Sequence, residues 1–203
     1  MSGDEKVRAF IVDIASLPTD YPTHRHSSPF WEALGRNVAT FGFLEETLSK
    51  AIFAFTATRR FEPDKIEKAY EHWLTTLERT IADPLGSLIG TYEKAVRDHG
   101  AATIGDFPKI IGQLRQACTL RNVLCHGSWR APDDNGRSVP FFVNKKNEIF
   151  EDSIDLVYLL QLQKAVAALI YDVTNSVTRL GYQFPGSSGP GMPIVQSNPT
   201  GTD

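Results

Sequence analysis

One stretch, Phe107 to Trp129 (FPKIIGQLRQACTLRNVLCHGSW), limits what this chain can fold into more than any other. Apolar residues recur at Ile110, Ile111, Leu114, Ala117, Cys118, Leu124 and Cys125. That spacing has the helical period and predicts one amphipathic helix. Gly127 stands where a helix usually turns left-handed and stops. Arg121 falls on the apolar stripe, one heptad beyond Leu114. A cation in a packing seam needs a partner. Asn122 and His126 are four apart and therefore neighbours on the helix surface.

A helix with such a stripe needs other apolar faces, and the chain supplies them. After a lead-in over 1–29 whose prolines forbid a long regular element, Ser28 reads as an N-cap and Pro29 as a first helical residue. Trp31, Leu34, Val38, Phe41, Leu48, Ile52 and Phe55 then repeat at steps of three and four, which is bundle spacing. Glu45 occupies a position where that repeat wants an apolar side chain. Either it sits at the stripe edge and reaches solvent, with Leu44 filling the seam, or it pairs with Arg121, the other charge on an apolar face.

A second helix is expected from about Pro63, with Ile66, Tyr70, Trp73, Leu77 and Ile81 inward, broken at Pro84. A third is expected from Leu85 to His99, with Leu88, Ile89, Tyr92 and Val96 inward and Gly100 as its stop. The last opens near Asp152, carries Leu159, Leu162, Val166, Leu169, Val173, Val177 and Leu180 inward, and closes at Gly181. Between Trp129 and Phe150, turn signals at Asp134-Asn135-Gly136 and Asn144–Asn147 surround the run Val139 to Val143. They predict two or three short antiparallel strands. From residue 183 the composition is Gly, Pro, Ser and Thr, which predicts a disordered tail. The fold class is therefore all-α: a four- to five-helix bundle over 30–182, with a small β-hairpin insertion at about 129–150.

Composition removes several functions. A net charge of −3 over 203 residues is no electrostatic attractor for nucleic acid, so RNA binding has to come from a local patch. The most basic stretch is the insertion, with Arg130, Arg137, Lys145 and Lys146. It reads either as a solvated hairpin or as a flap gripping phosphate beside His126. Neither a DNA partner nor a cofactor is expected.

His24 and His26 flank Arg25 without a Cys, Asp or Glu at ligand spacing, so a solvated loop and no metal site is expected. His72 and His99 read as surface or boundary residues. Cys118 and Cys125 lie about 10 Å apart on one helix, too far for a disulfide, and read as small core residues in a reducing compartment. Neither a signal-peptide core nor a membrane-length apolar run is apparent, which points to the cytoplasm and away from a membrane.

Gly-rich phosphate loops and nucleophile elbows are absent from the sequence. What remains is Arg121-Asn122-Val123-Leu124-Cys125-His126. At these residues the chain resembles the HEPN superfamily (higher eukaryotes and prokaryotes nucleotide-binding domains). Its signature is an Arg, then a polar residue, then a His after four to six intervening positions. Arg121, Asn122 and His126 match it one by one. The resemblance implies an all-helical bundle, a homodimer with two motifs facing a shared cleft, and metal-independent endoribonuclease activity as a toxin or antiphage effector. An antitoxin or other protein partner is implied with it.

The toxin branch paired with a nucleotidyltransferase antitoxin carries a Tyr two residues after the His. Ser128 stands there instead, so tyrosine adenylylation is not expected. A second implication is a catalytically silent module that binds a nucleotide or a protein partner.

The side chains suit this chemistry on their own terms. RNA carries its nucleophile, the 2′-hydroxyl; the enzyme must supply an acid or base, and histidine titrates in the right range. Arg121 can fork onto two phosphate oxygens, and Asn122 can orient His126 or donate to the phosphate. On an ideal helix Arg121 and His126 point about 140° apart, so two copies across a two-fold axis would converge them better than one. Trp129 can either stack on a base or pack on the end of the bundle.

Overall fold

The structure is a computed structural model that describes residues 10–189, apart from 60, 61, 69, 72, 73, 76–79, 81, 82 and 101–104. It is mostly helical. Four long helices carry the core: α1 (Ser28–Ala57), α2 (Leu85–His99), α3 (Phe107–His126) and α4 (Leu156–Thr178). Residues 66–68, 70, 71, 74, 75 and 80, between α1 and α2, are helical as well.

The bundle is organised on α1, which packs against all three other long helices. Its seam of Phe41, Leu44, Leu48, Ala51, Ile52 and Phe55 is almost wholly buried. At about 25 cal/mol per Å² of apolar area removed from water, such side chains are the main source of stability. Phe55 meets Tyr92 of α2, and the buried Tyr92 hydroxyl donates to Ser176 Oγ of α4 at 2.8 Å. Glu45 lies beside Arg121 while Phe30 lies beside Trp129, so α1 and α3 run antiparallel. Buried Asn37 ties α1 to α4 by donating to the carbonyls of Ala33 and Leu159.

Helix ends follow local chemistry with small shifts. The α1 N-cap is Ser27 rather than Ser28, and α4 starts at Leu156 behind Asp155, whose carboxylate accepts from the Tyr158 N–H. Gly100 ends α2 with a positive φ of 73°. Gly127 follows α3 differently from expectation: its backbone is extended, not left-handed. What demands glycine there is contact, since a Cβ would lie 2.5 Å from the Val123 carbonyl oxygen and 2.9 Å from Pro140 Cβ.

Several expectations are corrected. Ile66 and Tyr70 are exposed, not inward; Trp73, Leu77, Ile81 and His72 lie outside the described residues. Periodicity shows which residues share a face, not whether another element covers it. Val38 is exposed, and Cys125 is exposed rather than in the core, because Val123 and Leu124 take the inward positions on the last turn of α3.

Over 127–155 the expected strands reduce to three isolated antiparallel bridges, Ser128 with Phe141, Ser138 with Ile154 and Val143 with Ile149. Pro132 and Pro140 lack the N–H that a continuous ladder needs. Residues 183–189 fold back rather than trail away, with Phe184 packed on the core; the rest of the expected tail, 190–203, lies outside the described residues. Finally, α4 is long and apolar enough to cross a membrane by length and composition, with a mean hydropathy of 1.4 over its best window. In the bundle its inner face packs on α1.

Candidate functional site

Arg121 sits one turn after Ala117 on the face of α3 that also buries Leu114 and Leu124. Its guanidinium meets α1, where Glu45 interrupts the seam between Leu44 and Leu48. The two charges lie 3.4 Å apart, Arg121 Nη2 to Glu45 Oε1, each side chain 27% exposed. Of the two readings of Glu45, pairing with Arg121 is what the fold produces. The contact lacks hydrogen-bond alignment, and Oε1 is buried without a hydrogen-bond partner. Arg121 Nη1 donates to Asn122 Oδ1 at 3.4 Å. Burial pushes the nearby Cys118 thiol up, Arg121 opposing and Glu45 reinforcing the shift, so this cysteine is no thiolate nucleophile at neutral pH.

This pair opens onto a cleft of about 720 Å³. Gly42, Glu46, Ser49, Lys50 and Phe53 of α1, Thr80, Asp83 and Pro84 ahead of α2, Leu88 of α2 and Pro185 line it with Glu45 and Arg121. Sequence reading passed over Ser49, Lys50 and Phe53. The signal available was the row Glu45, Ser49, Phe53 at steps of four, which places all three on one side of α1.

His126 is elsewhere. It is the last residue of α3, exposed, and makes no hydrogen bond or ion pair among the described residues. It does not line the cleft. One chain therefore brings Arg121, Asn122 and Glu45 together and leaves His126 apart, as the angle along the helix implies.

Trp129 packs at the end of the bundle. Its ring stands edge-on to Phe30 at 5.0 Å, to His26 at 6.0 Å and to Trp31 at 6.4 Å. His26 stacks on Phe30 at 4.1 Å, and its Nε2 lies 2.9 Å from the Arg130 carbonyl oxygen. The Trp31 indole donates to the Thr23 carbonyl at 2.7 Å. So His26 is a tie between the lead-in and the chain after α3, not a solvated loop residue. No signal in the sequence announces a contact spanning so many residues. Among the described residues no group of three or more His, Cys, Asp or Glu could hold a metal ion.

The four basic residues of the insertion do not gather at Arg121. Arg130 lies over the Phe141 ring at 5.3 Å, and Arg137 closes a turn by pairing with Asp133 at 3.1 Å. Backbone N–H groups of Arg137 and Asn135, with the Arg137 charge, hold the Asp133 carboxyl below its usual range. Arg130 and Arg137 line a separate hollow of about 710 Å³ that neither Arg121 nor His126 enters. Lys145 and Lys146 are exposed on the turn that Asn144 organises. Compared with protein families, curated proteins and solved structures, the chain matches none.

Proposed function

We propose that the protein is a metal-independent endoribonuclease of HEPN type that cleaves RNA at a site composed from two copies of the chain. The observation that carries this is the division of the C-terminal end of α3. Arg121 is half-buried and held by Glu45 and Asn122, while His126 is exposed and unbonded among the described residues. A fixed cation and a free imidazole are the two parts that RNA transesterification needs.

In the reaction the 2′-oxygen attacks phosphorus and loses its proton, and the 5′-oxygen leaves and gains one. The products are a 2′,3′-cyclic phosphate and a 5′-hydroxyl. His126 takes the first proton or supplies the second, and Arg121 of the other copy neutralises charge on the non-bridging oxygens. A two-fold dimer, a cytoplasmic setting, and use as a toxin or antiphage effector with a protein antitoxin belong to the same proposal.

One observation favours a second reading: the cleft holds Arg121, Lys50 and Glu45 but not His126. A silent module would use that cleft to bind a nucleotide or a protein partner. Incubation of the protein with mixed RNA in EDTA, beside His126→Ala, separates the two. Cleavage that survives chelation, leaves cyclic phosphate ends and disappears in the variant supports the nuclease. A folded dimer that cleaves nothing supports the binding module, and cleavage unaffected by the substitution removes His126 from the chemistry.

A further inference from the structure

Glu45 and Arg121 leave most of their hydrogen-bonding capacity unused. A carboxylate has about four acceptor positions and a guanidinium five N–H donors. Among the described residues Arg121 makes one hydrogen bond, to Asn122, and the Glu45 carboxylate makes none. Each side chain is 27% exposed, and Glu45 Oε1 is itself buried. Half-buried charges this sparsely bonded are costly unless a further group completes them.

The cleft beside them has the dimensions and walls for that group. At about 720 Å³ it falls within the range of small-molecule sites. Phe53 and Leu88 give it apolar walls against which a base can lie, and Ser49, Asp83 and the Lys50–Glu46 pair give it polar groups. The edge of a single-stranded base is what such a pocket can read. Guanine alone among the four RNA bases places two N–H donors, N1–H and N2–H, side by side. Adenine and cytosine set an acceptor beside their amino donor, and uracil flanks its N–H with two carbonyls. A carboxylate, which only accepts, is matched by the first and repelled by the others.

We infer that this cleft takes a guanine nucleotide, with Glu45 accepting from the guanine N1–H and N2–H. The pair then exchanges partners. The guanine donors replace the guanidinium at Glu45, and Arg121 turns to the nucleotide's phosphate; Lys50 stays paired with Glu46 at 2.6 Å. The inference rests on the ribonuclease reading for its substrate class. It adds that cleavage follows guanine, because only the matching base frees Arg121.

The test is calorimetric titration of the full chain with the 3′-monophosphates of guanosine, inosine, adenosine, cytidine and uridine. Guanosine 3′-monophosphate is expected to bind about tenfold more tightly than the adenosine, cytidine and uridine nucleotides. Inosine, which lacks the N2 amino group, is expected to bind several-fold more weakly than guanosine. Glu45→Gln is expected to abolish the preference. Equal affinities, no binding at all, or a preference that persists in folded Glu45→Gln overturns the inference. The inosine comparison needs no variant, so a misfolded Glu45→Gln leaves the test intact. Guanine preference without RNA cleavage retains this pocket and ends the nuclease reading; cleavage in EDTA without guanine preference does the reverse.

Discussion

Arg121 and Glu45 show what one charge on an apolar stripe demands of a fold. Each interrupts a repeat that would otherwise be hydrophobic, and each is tolerated because the other faces it at 3.4 Å. Removing one leaves the other half-buried and uncompensated, so the single changes should cost more than the pair changed together. A double-mutant cycle of Glu45→Gln and Arg121→Met, read by urea denaturation, should give a coupling of about 1 kcal/mol, discounted for the partial exposure of both groups. Additive effects would remove the pair from the stability of the bundle. Gly127 makes the opposite point about the smallest side chain. Its extended backbone suits any residue, yet a methyl group would collide with the Val123 carbonyl and Pro140. Gly127→Ala should therefore lose about 1–3 kcal/mol and lower the melting temperature. An unchanged melting temperature would mean that the chain after α3 yields freely.

Among the elements, α2 and α4 are joined through one hydroxyl. Tyr92 is fully buried and donates to Ser176, and burial pushes its pKa to about 12. The sign follows from linkage. Above the unfolded value near 10 the unfolded chain loses this proton while the folded chain keeps it, so stability falls as pH rises from about 10 to about 12. Thermal melts of the protein and Tyr92→Phe across that range should show the alkaline loss reduced in the variant. At neutral pH the same change should cost about 1 kcal/mol, for one buried hydrogen bond. Parallel alkaline slopes would mean that Tyr92 ionises as readily folded as unfolded. The insertion behaves differently from the helices. Its isolated bridges hold a path rather than a sheet, and its start is fixed by the aromatic group around Trp129 and by His26.

For the whole molecule the decisive question is how two motifs meet. In one chain Arg121 lines the α1 cleft and His126 lies outside it, so the proposed ribonuclease site requires a second copy. That geometry makes a specific prediction. Arg121→Ala and His126→Ala are each expected to be inactive, but mixing them lets dimers form in which one of the two composite sites is intact. About a quarter of wild-type sites should be restored by random exchange at equal concentrations. RNA cleavage assays of the mixture after subunit exchange check this. No recovery, with exchange demonstrated, would place both residues in one chain's site and end the composite proposal.

Much of this architecture could be read before any coordinates, because the helical period is a local property. The α1 seam from Phe41 to Phe55, the buried row of α2, α3 from Phe107 to His126, and Gly100 as a stop all follow from spacing and backbone preference. The two misplaced charges were legible for the same reason, as defects in a repeat. Their partnership was only one of two open alternatives until the antiparallel packing of α1 on α3 set Glu45 against Arg121. Coverage was not legible either. Ile66, Tyr70 and Cys125 carry apolar character at helical spacing yet face outward, because burial depends on what arrives from elsewhere in the chain. The cleft, the His26 tie and the contact that makes Gly127 necessary join residues distant in sequence. Sequence alone determined the helices and the oddity of their charges; tertiary packing decided which of those charges met and left His126 exposed at the helix end.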